Sequence, residues 1–177
     1  MNKKLKKAGY LLLSAGMGVF LYILFHELGH MAVMLSAGAT ITDFSIFTAH
    51  VSGDGGDYTN LSRMCRDASG ALLPLMISYL YLLLYKKGST KSFYRIFSYV
   101  FTLIPIVSML AWVFIPFVYL QGNAPVKDDV TKFLSVFCEK YHPLIVSAAA
   151  AAFIGVGVVL MIKKRVIFHF MEEIRQE

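Results

Sequence analysis

Four long apolar runs dominate the chain, and short segments between them carry most of the charged residues. The runs cover residues 8–37, 68–85, 93–120 and 143–162. Roughly 20 apolar residues in a helix cross the hydrocarbon core of a bilayer, and each run is near that length or longer. The pattern therefore predicts an all-α polytopic membrane protein with about four transmembrane helices.

The segment after the first run has a different pattern. Thr40 to Ser52 is rich in threonine, isoleucine, phenylalanine and valine, and the glycine- and aspartate-rich stretch 53–57 follows it. This order predicts a short β-strand or hairpin at the membrane surface and then a turn. The stretch from Val166 to Glu177 mixes apolar and charged residues, which predicts a short interfacial helix or a frayed continuation of the fourth span.

Composition supports one membrane-embedded domain over residues 1–177. The chain is 57% hydrophobic and 16% charged, whereas soluble domains carry about a quarter charged residues. Four spans leave no length for a separate soluble catalytic domain. The net charge of +6 does not indicate a nucleic-acid partner, because the basic residues bracket the apolar runs. The first partner expected is the lipid bilayer.

The basic residues also predict an orientation. Segments 1–7, 86–95 and 163–177 together hold 12 lysines and arginines, and segments 39–67 and 121–142 hold 5. Because cytoplasmic loops carry the excess of positive charge, both termini are expected in the cytoplasm. Cys65 and Cys138 then lie on the same outer side, where a disulfide is possible, although two unrelated free thiols are the favoured interpretation.

The first run contains the motif that carries chemistry, His26-Glu27-Leu28-Gly29-His30. Two histidines four residues apart lie on one helix face and can bind one zinc ion, and the glutamate can accept a proton from water as a general base. An ionisable residue at the centre of a membrane helix costs about 2.5–3.5 kcal/mol, so a functional role is favoured over chance. The stripe of this helix that carries both histidines also includes small residues, which predicts that the site faces the bundle.

The motif inside a membrane helix, followed by the extended segment ATITDFSIF, resembles the site-2 protease family of intramembrane zinc metalloproteases. The resemblance covers about the first 50 residues. The segment ASGALLP, from Ala68 to Pro74, is similar to a degenerate form of the family's Gly-Pro-x-x-Asn element, but its asparagine is absent. The resemblance implies a multi-pass protein of a bacterial cell membrane that processes membrane proteins.

A third ligand is needed to complete a zinc site that leaves one position for water. The family uses an aspartate in an Asp-Gly motif, and that dipeptide is absent after the third run. Asp129 is the preferred third ligand and Asp128 the alternative, because the region resembles an Asp-x-x-Lys-Phe stretch in small members of the superfamily. Asp128 to Phe137 would then form a re-entrant piece, although both acids can also be read as a helix N-terminus.

Four other residues that could bind a metal have simpler interpretations. His50 and His142 are expected to be interfacial or loop histidines, and Asp54 and Asp57 solvated turn residues. Pro105 and Pro116 in the third run predict kinks.

Two functions from different classes remain open at this stage. The first is an intramembrane zinc metalloprotease with His26, His30 and Asp129 as metal ligands and Glu27 as general base, acting on a membrane-associated protein or peptide. The alternative is a non-catalytic metal-binding membrane assembly or chaperone factor, which the missing family elements favour. A zinc transporter or sensor is less favoured, because no chain of intramembrane carboxylates offers ions a route across.

The predicted orientation and the resemblance disagree on one point. The family's active site generally opens toward the cytoplasm, whereas the lysine count places the end of the first span nearest the motif outside.

Overall fold

The computed structural model describes residues 3–175. Within this range, four long helices are α1 (Lys3–Ser36), α2 (Asn60–Leu84), α3 (Ser92–Leu120) and α5 (Leu144–Lys163), and the short helices are α4 (Asp129–Phe137) and α6 (Val166–Arg175). An antiparallel hairpin of β1 (Ala39–Ser45) and β2 (His50–Gly55) follows α1. The predicted class, helical with four long apolar helices and a small hairpin after the first, is confirmed.

Each of the four long helices is long and apolar enough to cross a membrane. Large apolar side chains also cover the outside of the bundle, as at Leu12, Leu84 and Phe114, which are 75%, 79% and 60% exposed. Extended apolar surface of this kind is unfavourable in water and favourable against lipid. The outer surface of the helices therefore fits a membrane protein.

Two helices begin earlier than the apolar runs predict. α1 begins at Lys3 rather than residue 8, and α2 begins at Asn60 rather than residue 68. The Thr59 side chain accepts a hydrogen bond from the Ser62 amide and caps α2. The prediction missed the first two turns of α2 because they hold Arg63, Arg66 and Asp67, which interrupt the apolar pattern but not the helix. Cys65 consequently lies on α2 and not in a loop.

The α3 helix runs without interruption through Pro105 and Pro116, and both prolines are buried. The predicted bends of the α3 axis at these two prolines stay a prediction. The structure shows that neither proline ends the helix.

The hairpin extends into the glycine-rich stretch for which the sequence predicts a turn. Residues 46–49 connect β1 to β2, and Ala49 there has a positive φ of 48°. The glycine-rich stretch instead supplies the end of β2, where Gly53 pairs with Ile41. A Cβ at Gly53 would lie 2.7 Å from the Thr40 carbonyl oxygen, so the glycine permits close strand pairing. The predicted turn at 53–57 is thus wrong in part, because residues 53–55 pair with β1 before the chain leads into α2.

The centre of the bundle is built around α2, which contacts α1, α3, α4 and α5. Its buried residues Leu75 and Leu82 pack in one core with Met109, Leu134 and Met161. The short α4 helix lies against α2 and α3, so the segment after the third span folds back into the bundle. This placement brings the start of α4 toward the motif on α1.

The α6 helix is separate from α5, since Arg165 between them has a positive φ of 63°. It packs on α3, and the Arg95 guanidinium lies 3.8 Å from carboxylate oxygens of Glu172 and Glu173. Lys7 donates a hydrogen bond of 2.7 Å to the Glu173 carbonyl. The start of α1 and the end of the described chain therefore meet at one end of the bundle.

Candidate metal centre

The two histidines of the motif lie in the C-terminal half of α1. His26 and His30 are ten and six residues before Ser36, so they lie about 15 and 9 Å from the end of the helix. Their rings meet edge to face with centroids 4.7 Å apart, and their Nε2 atoms are 3.1 Å apart. Helical geometry alone places both imidazoles on one face, as the spacing predicts.

The α2 helix approaches this face very closely through two glycines. A Cβ at Gly29 would lie 2.7 Å from the Ser69 carbonyl carbon. A Cβ at Gly70 would lie 2.7 Å from Cε1 of His30 and 2.8 Å from Cε1 of His26. The absence of a side chain at Gly70 thus leaves room for both imidazoles. Any larger residue at this position of α2 would clash with the two rings.

The α2 backbone also orients one of the rings. His30 Nδ1 lies 2.7 Å from the Arg66 carbonyl oxygen, which accepts a hydrogen bond from the Ser69 hydroxyl as well. A carbonyl can only accept, so His30 carries its proton on Nδ1 and presents the Nε2 lone pair when the ring is neutral. His26 differs, because its buried Nδ1 has no hydrogen-bond partner among the described residues.

Asp129 completes a group of three donor atoms. Its Oδ2 lies 3.4 Å from His26 Nε2 and 3.2 Å from His30 Nε2. Its Oδ1 accepts a hydrogen bond of 3.0 Å from Lys132, one turn further along α4. The structure therefore brings His26, His30 and Asp129 together, with the second carboxylate oxygen held by a neighbouring cation.

Asp128 has a different position. Its side chain accepts a hydrogen bond of 2.8 Å from the Val130 amide and caps the N-terminus of α4. Of the two aspartates proposed from the sequence as third ligand, Asp129 is the one that faces the imidazoles. The interpretation as a helix N-terminus is also correct, since both acids lie at the start of α4.

The electrostatic interactions among the three donor atoms favour a positive charge that all three share. Burial alone would raise the pKa of the Asp129 carboxyl, but hydrogen bonds with His26 and His30 outweigh it and hold the pKa well below its usual value. A neutral His30 would direct its Nε2 lone pair at this carboxylate, which is repulsive. A proton or a metal ion between the three atoms removes the repulsion.

The geometry fits a zinc ion. Ligand atoms about 2.0–2.1 Å from a tetrahedral centre are separated from each other by about 3.3 Å. The three separations observed here are 3.1, 3.2 and 3.4 Å. Two imidazole nitrogens and one carboxylate oxygen are also a donor set that zinc accepts in catalytic sites, where the fourth position stays open.

A cavity of about 120 Å³ lies beside two of the three donor residues. His26 and Asp129 line it together with Tyr22, Asp67, Ser108 and Trp112. Water and a peptide carbonyl are small enough for this space. The cavity is therefore large enough to admit a small group next to His26 and Asp129.

Glu27 is buried, with 4% of its surface exposed. It follows His26 directly on α1, but it is not among the residues that line the cavity. The general-base role of Glu27 stays a prediction.

The remaining histidines and acids named from the sequence lie elsewhere. His50 is 3.8 Å from Asp43 across the hairpin, and His142 accepts from the Leu144 amide before α5. Asp54 and Asp57 are exposed. Cys65 and Cys138 are both free thiols, as the favoured interpretation predicted.

Four residues that line or shape the site were not predicted from the sequence as parts of it. Asp67 is 3% exposed, is paired with Arg66 at 2.8 Å, and lines the cavity. Gly70, Tyr22 and Ser108 were equally missed as parts of the site. The available signal was an ionisable pair and a glycine at the start of an apolar run, and it points to the site only once the contact of α2 with α1 is known.

Comparison of the chain with known protein families, curated proteins and solved structures finds no match.

Proposed function

We propose that this chain is an intramembrane zinc metalloprotease that resembles the site-2 protease family. The single observation that carries the proposal is the convergence of His26, His30 and Asp129, whose separations of 3.1–3.4 Å match the edges of a tetrahedral zinc site. These atoms lie within a bundle of four helices that can span a membrane. The glutamate beside the first histidine supplies what a structural metal site does not need, a general base.

His26, His30 and Asp129 would hold the ion, and when bound zinc would polarise a carbonyl and make a water molecule more acidic. Glu27 accepts a proton from the attacking water and returns it to the amine nitrogen as the peptide bond breaks. Lys132 holds the second oxygen of Asp129, so that Oδ2 keeps its direction. The Arg66 carbonyl keeps the His30 Nε2 available for the ion.

The proposed substrate is a membrane-associated protein or peptide with a locally unwound segment. An apolar groove of about 560 Å³ lies between α1, α2 and α4 and includes Gly29, next to His30. Such a groove suits the apolar side chains of a membrane segment. An extended substrate could also pair with the edge of the hairpin that follows α1.

The proposed location is a bacterial cell membrane with both termini in the cytoplasm. The contact of Lys7 with Glu173 supports a common side for the two ends, and the 12 basic residues of the segments 1–7, 86–95 and 163–177 support the cytoplasmic side.

Metal content of the purified protein in detergent tests the proposal. We expect about one zinc per chain in the wild type and in Glu27→Gln, and a loss of zinc in His26→Ala and Asp129→Asn. Asp128→Asn keeps a side-chain oxygen for the helix cap and should retain zinc. His50→Ala is the matched control, because it removes an exposed histidine outside the site.

A folded wild-type protein without bound metal would overturn the proposal. Retention of zinc by Asp129→Asn would overturn the assignment of the third ligand. Cleavage is then tested by mapping new peptide ends in membranes of cells that express the wild type or Glu27→Gln. Bound zinc without any Glu27-dependent cleavage would favour the non-catalytic assembly factor.

A further inference from the structure

A tyrosine lines the cavity next to His26 and Asp129 without belonging to the three donors. Tyr22 is one helical turn before His26 on α1, and the centroids of the two rings are 5.8 Å apart. It lines the cavity of about 120 Å³ together with Asp129.

The side chain proposed to position Tyr22 is a second hydroxyl. Ser108 lies on α3 and lines the same cavity as Tyr22. The Ser108 hydroxyl donates to the Pro105 carbonyl at 2.8 Å, so its oxygen is left to accept a hydrogen bond from the Tyr22 hydroxyl. Rotation of the Ser108 hydroxyl lets it donate to Tyr22 instead. The Tyr22 proton is then free for another acceptor in the cavity.

A second tyrosine and serine pair joins α2 and α3 outside the cavity and provides a control. Tyr81 on α2 and Ser98 on α3 are 2.6 Å apart, and Ser98 donates to the Tyr94 carbonyl. Tyr81 packs edge to face against the rings of Phe97 and Phe101, away from the metal centre. The Tyr22–Ser108 pair has the same composition but lines the cavity.

The geometry points to Tyr22 as a catalytic residue whose hydroxyl donates a hydrogen bond to the substrate carbonyl oxygen, with Ser108 as its positioning residue. This inference rests on the proposed hydrolysis. As water adds to the carbonyl carbon, the π electron pair moves onto the oxygen, and a donor aimed at that oxygen stabilises the developing charge. Tyr22 keeps its proton throughout, because Glu27 carries the proton from water to the leaving amine.

The test uses a metal and a small chelator and does not depend on a known substrate. The detergent-purified protein is loaded with Co²⁺, and acetohydroxamate, whose oxygens accept hydrogen bonds, is titrated while the visible absorption of the cobalt is recorded. Tyr22→Phe is expected to bind one Co²⁺ and to weaken acetohydroxamate binding about tenfold, the effect of losing one hydrogen bond to a charged acceptor. Ser108→Ala keeps the tyrosine and should weaken binding about threefold. Tyr81→Phe is the matched control and should bind as the wild type does.

The outcomes separate this inference from the proposed function. A wild-type protein that takes up no Co²⁺ overturns both. Normal Co²⁺ uptake with equal acetohydroxamate affinity in wild type, Tyr22→Phe and Ser108→Ala overturns the role of Tyr22 alone. Thermal unfolding of each variant shows whether the fold is kept, and Ser108→Ala remains decisive where Tyr22→Phe is destabilised.

Discussion

At the scale of single residues, Gly70 sets how closely α2 approaches the two imidazoles. Gly70→Ala places a methyl group 2.7–2.8 Å from carbon atoms of both rings. We expect zinc content to fall severalfold and the free energy of unfolding to drop by about 1–3 kcal/mol, because an overpacked site must move its side chains or backbone. Zinc content and denaturation in the same detergent measure the two effects.

Gly155→Ala is the control for this substitution. Gly155 also lies in a long apolar helix, but a Cβ there meets no atom within 4 Å. It should keep the zinc content and slightly raise stability, since alanine favours the helix. Equal zinc content in Gly70→Ala and Gly155→Ala would contradict the close fit of α2 against the ring pair.

The spacing of a motif determines only those relations between residues that a single helix fixes. The spacing of His26 and His30 predicts a shared face because one helix fixes their relation, and the structure agrees. The choice between Asp128 and Asp129 depended on a resemblance, and the structure separates them by hydrogen bonding: one caps α4, the other faces the imidazoles. Nothing in the adjacent pair Asp-Asp distinguishes these two directions before α4 is placed.

At the scale of elements, α6 is docked by a buried histidine. His169 is 6% exposed, and its Nδ1 lies 2.9 Å from the Tyr85 hydroxyl. Burial lowers the pKa of His169, and the nearby cations Arg95, Arg165 and Lys87 lower it further, while Glu172 opposes them. Below about pH 6.5 the unfolded chain therefore binds more protons at this residue than the folded chain does.

The predicted consequence is a loss of stability on acidification. The contribution of neutral His169 is complete above about pH 6.5 and decreases as the pH falls toward the pKa in the folded protein. Unfolding of the wild type and of His169→Asn between pH 7.5 and 5.5 measures it, and the variant should lose less stability over this range. His50→Asn, at an exposed histidine, should behave as the wild type does. Identical slopes for wild type and His169→Asn would refute the prediction.

The hairpin is the element proposed to pair with an extended substrate. β1 pairs with β2 from Ala39 to Ser45, with an irregularity between Ile41 and Asp43. Ile41→Pro and Phe44→Pro each remove a backbone donor from this strand, so Glu27-dependent cleavage should fall at least tenfold while zinc is retained. Ile41→Val keeps the donor and should cleave normally. Unchanged cleavage in both proline variants would count against edge pairing.

At the scale of the whole molecule, the orientation in the membrane decides which side of the membrane is nearer to the proposed metal centre. The start of α1 and the end of α6 meet at one end of the bundle, and α1 carries the hairpin at its other end. If the basic residues set the orientation, the hairpin lies outside. Phe47 at the hairpin tip is 99% exposed and offers a position for a label.

The prediction concerns two cysteine variants on a background with Cys65→Ser and Cys138→Ser. In intact bacterial cells, a membrane-impermeant maleimide should label Phe47→Cys and should label Ile174→Cys only after permeabilisation. Ile174 lies on α6 and is 45% exposed, so its thiol would be accessible once the reagent enters. The reverse pattern would show an inverted chain, with the hairpin in the cytoplasm as the family resemblance implies.

The sequence by itself determined the features that depend on neighbours along the chain. Apolar runs of sufficient length specify membrane helices because an unpaired backbone cannot remain in lipid, and the histidine spacing specifies a shared face because the helix is regular. The first two turns of α2 were not predicted because their charged residues interrupt the apolar pattern. Asp67 is tolerated there through its pairing with the adjacent Arg66.

Only the tertiary structure decided how distant segments meet. The return of α4 into the bundle brings Asp129 to the imidazoles, the contact of α2 aims the Arg66 carbonyl at His30, and α3 brings Ser108 to the cavity that Tyr22 lines. These contacts depend on complementary packing among α1, α2, α3 and α4, a property of several helices at once that no pattern within a single one encodes.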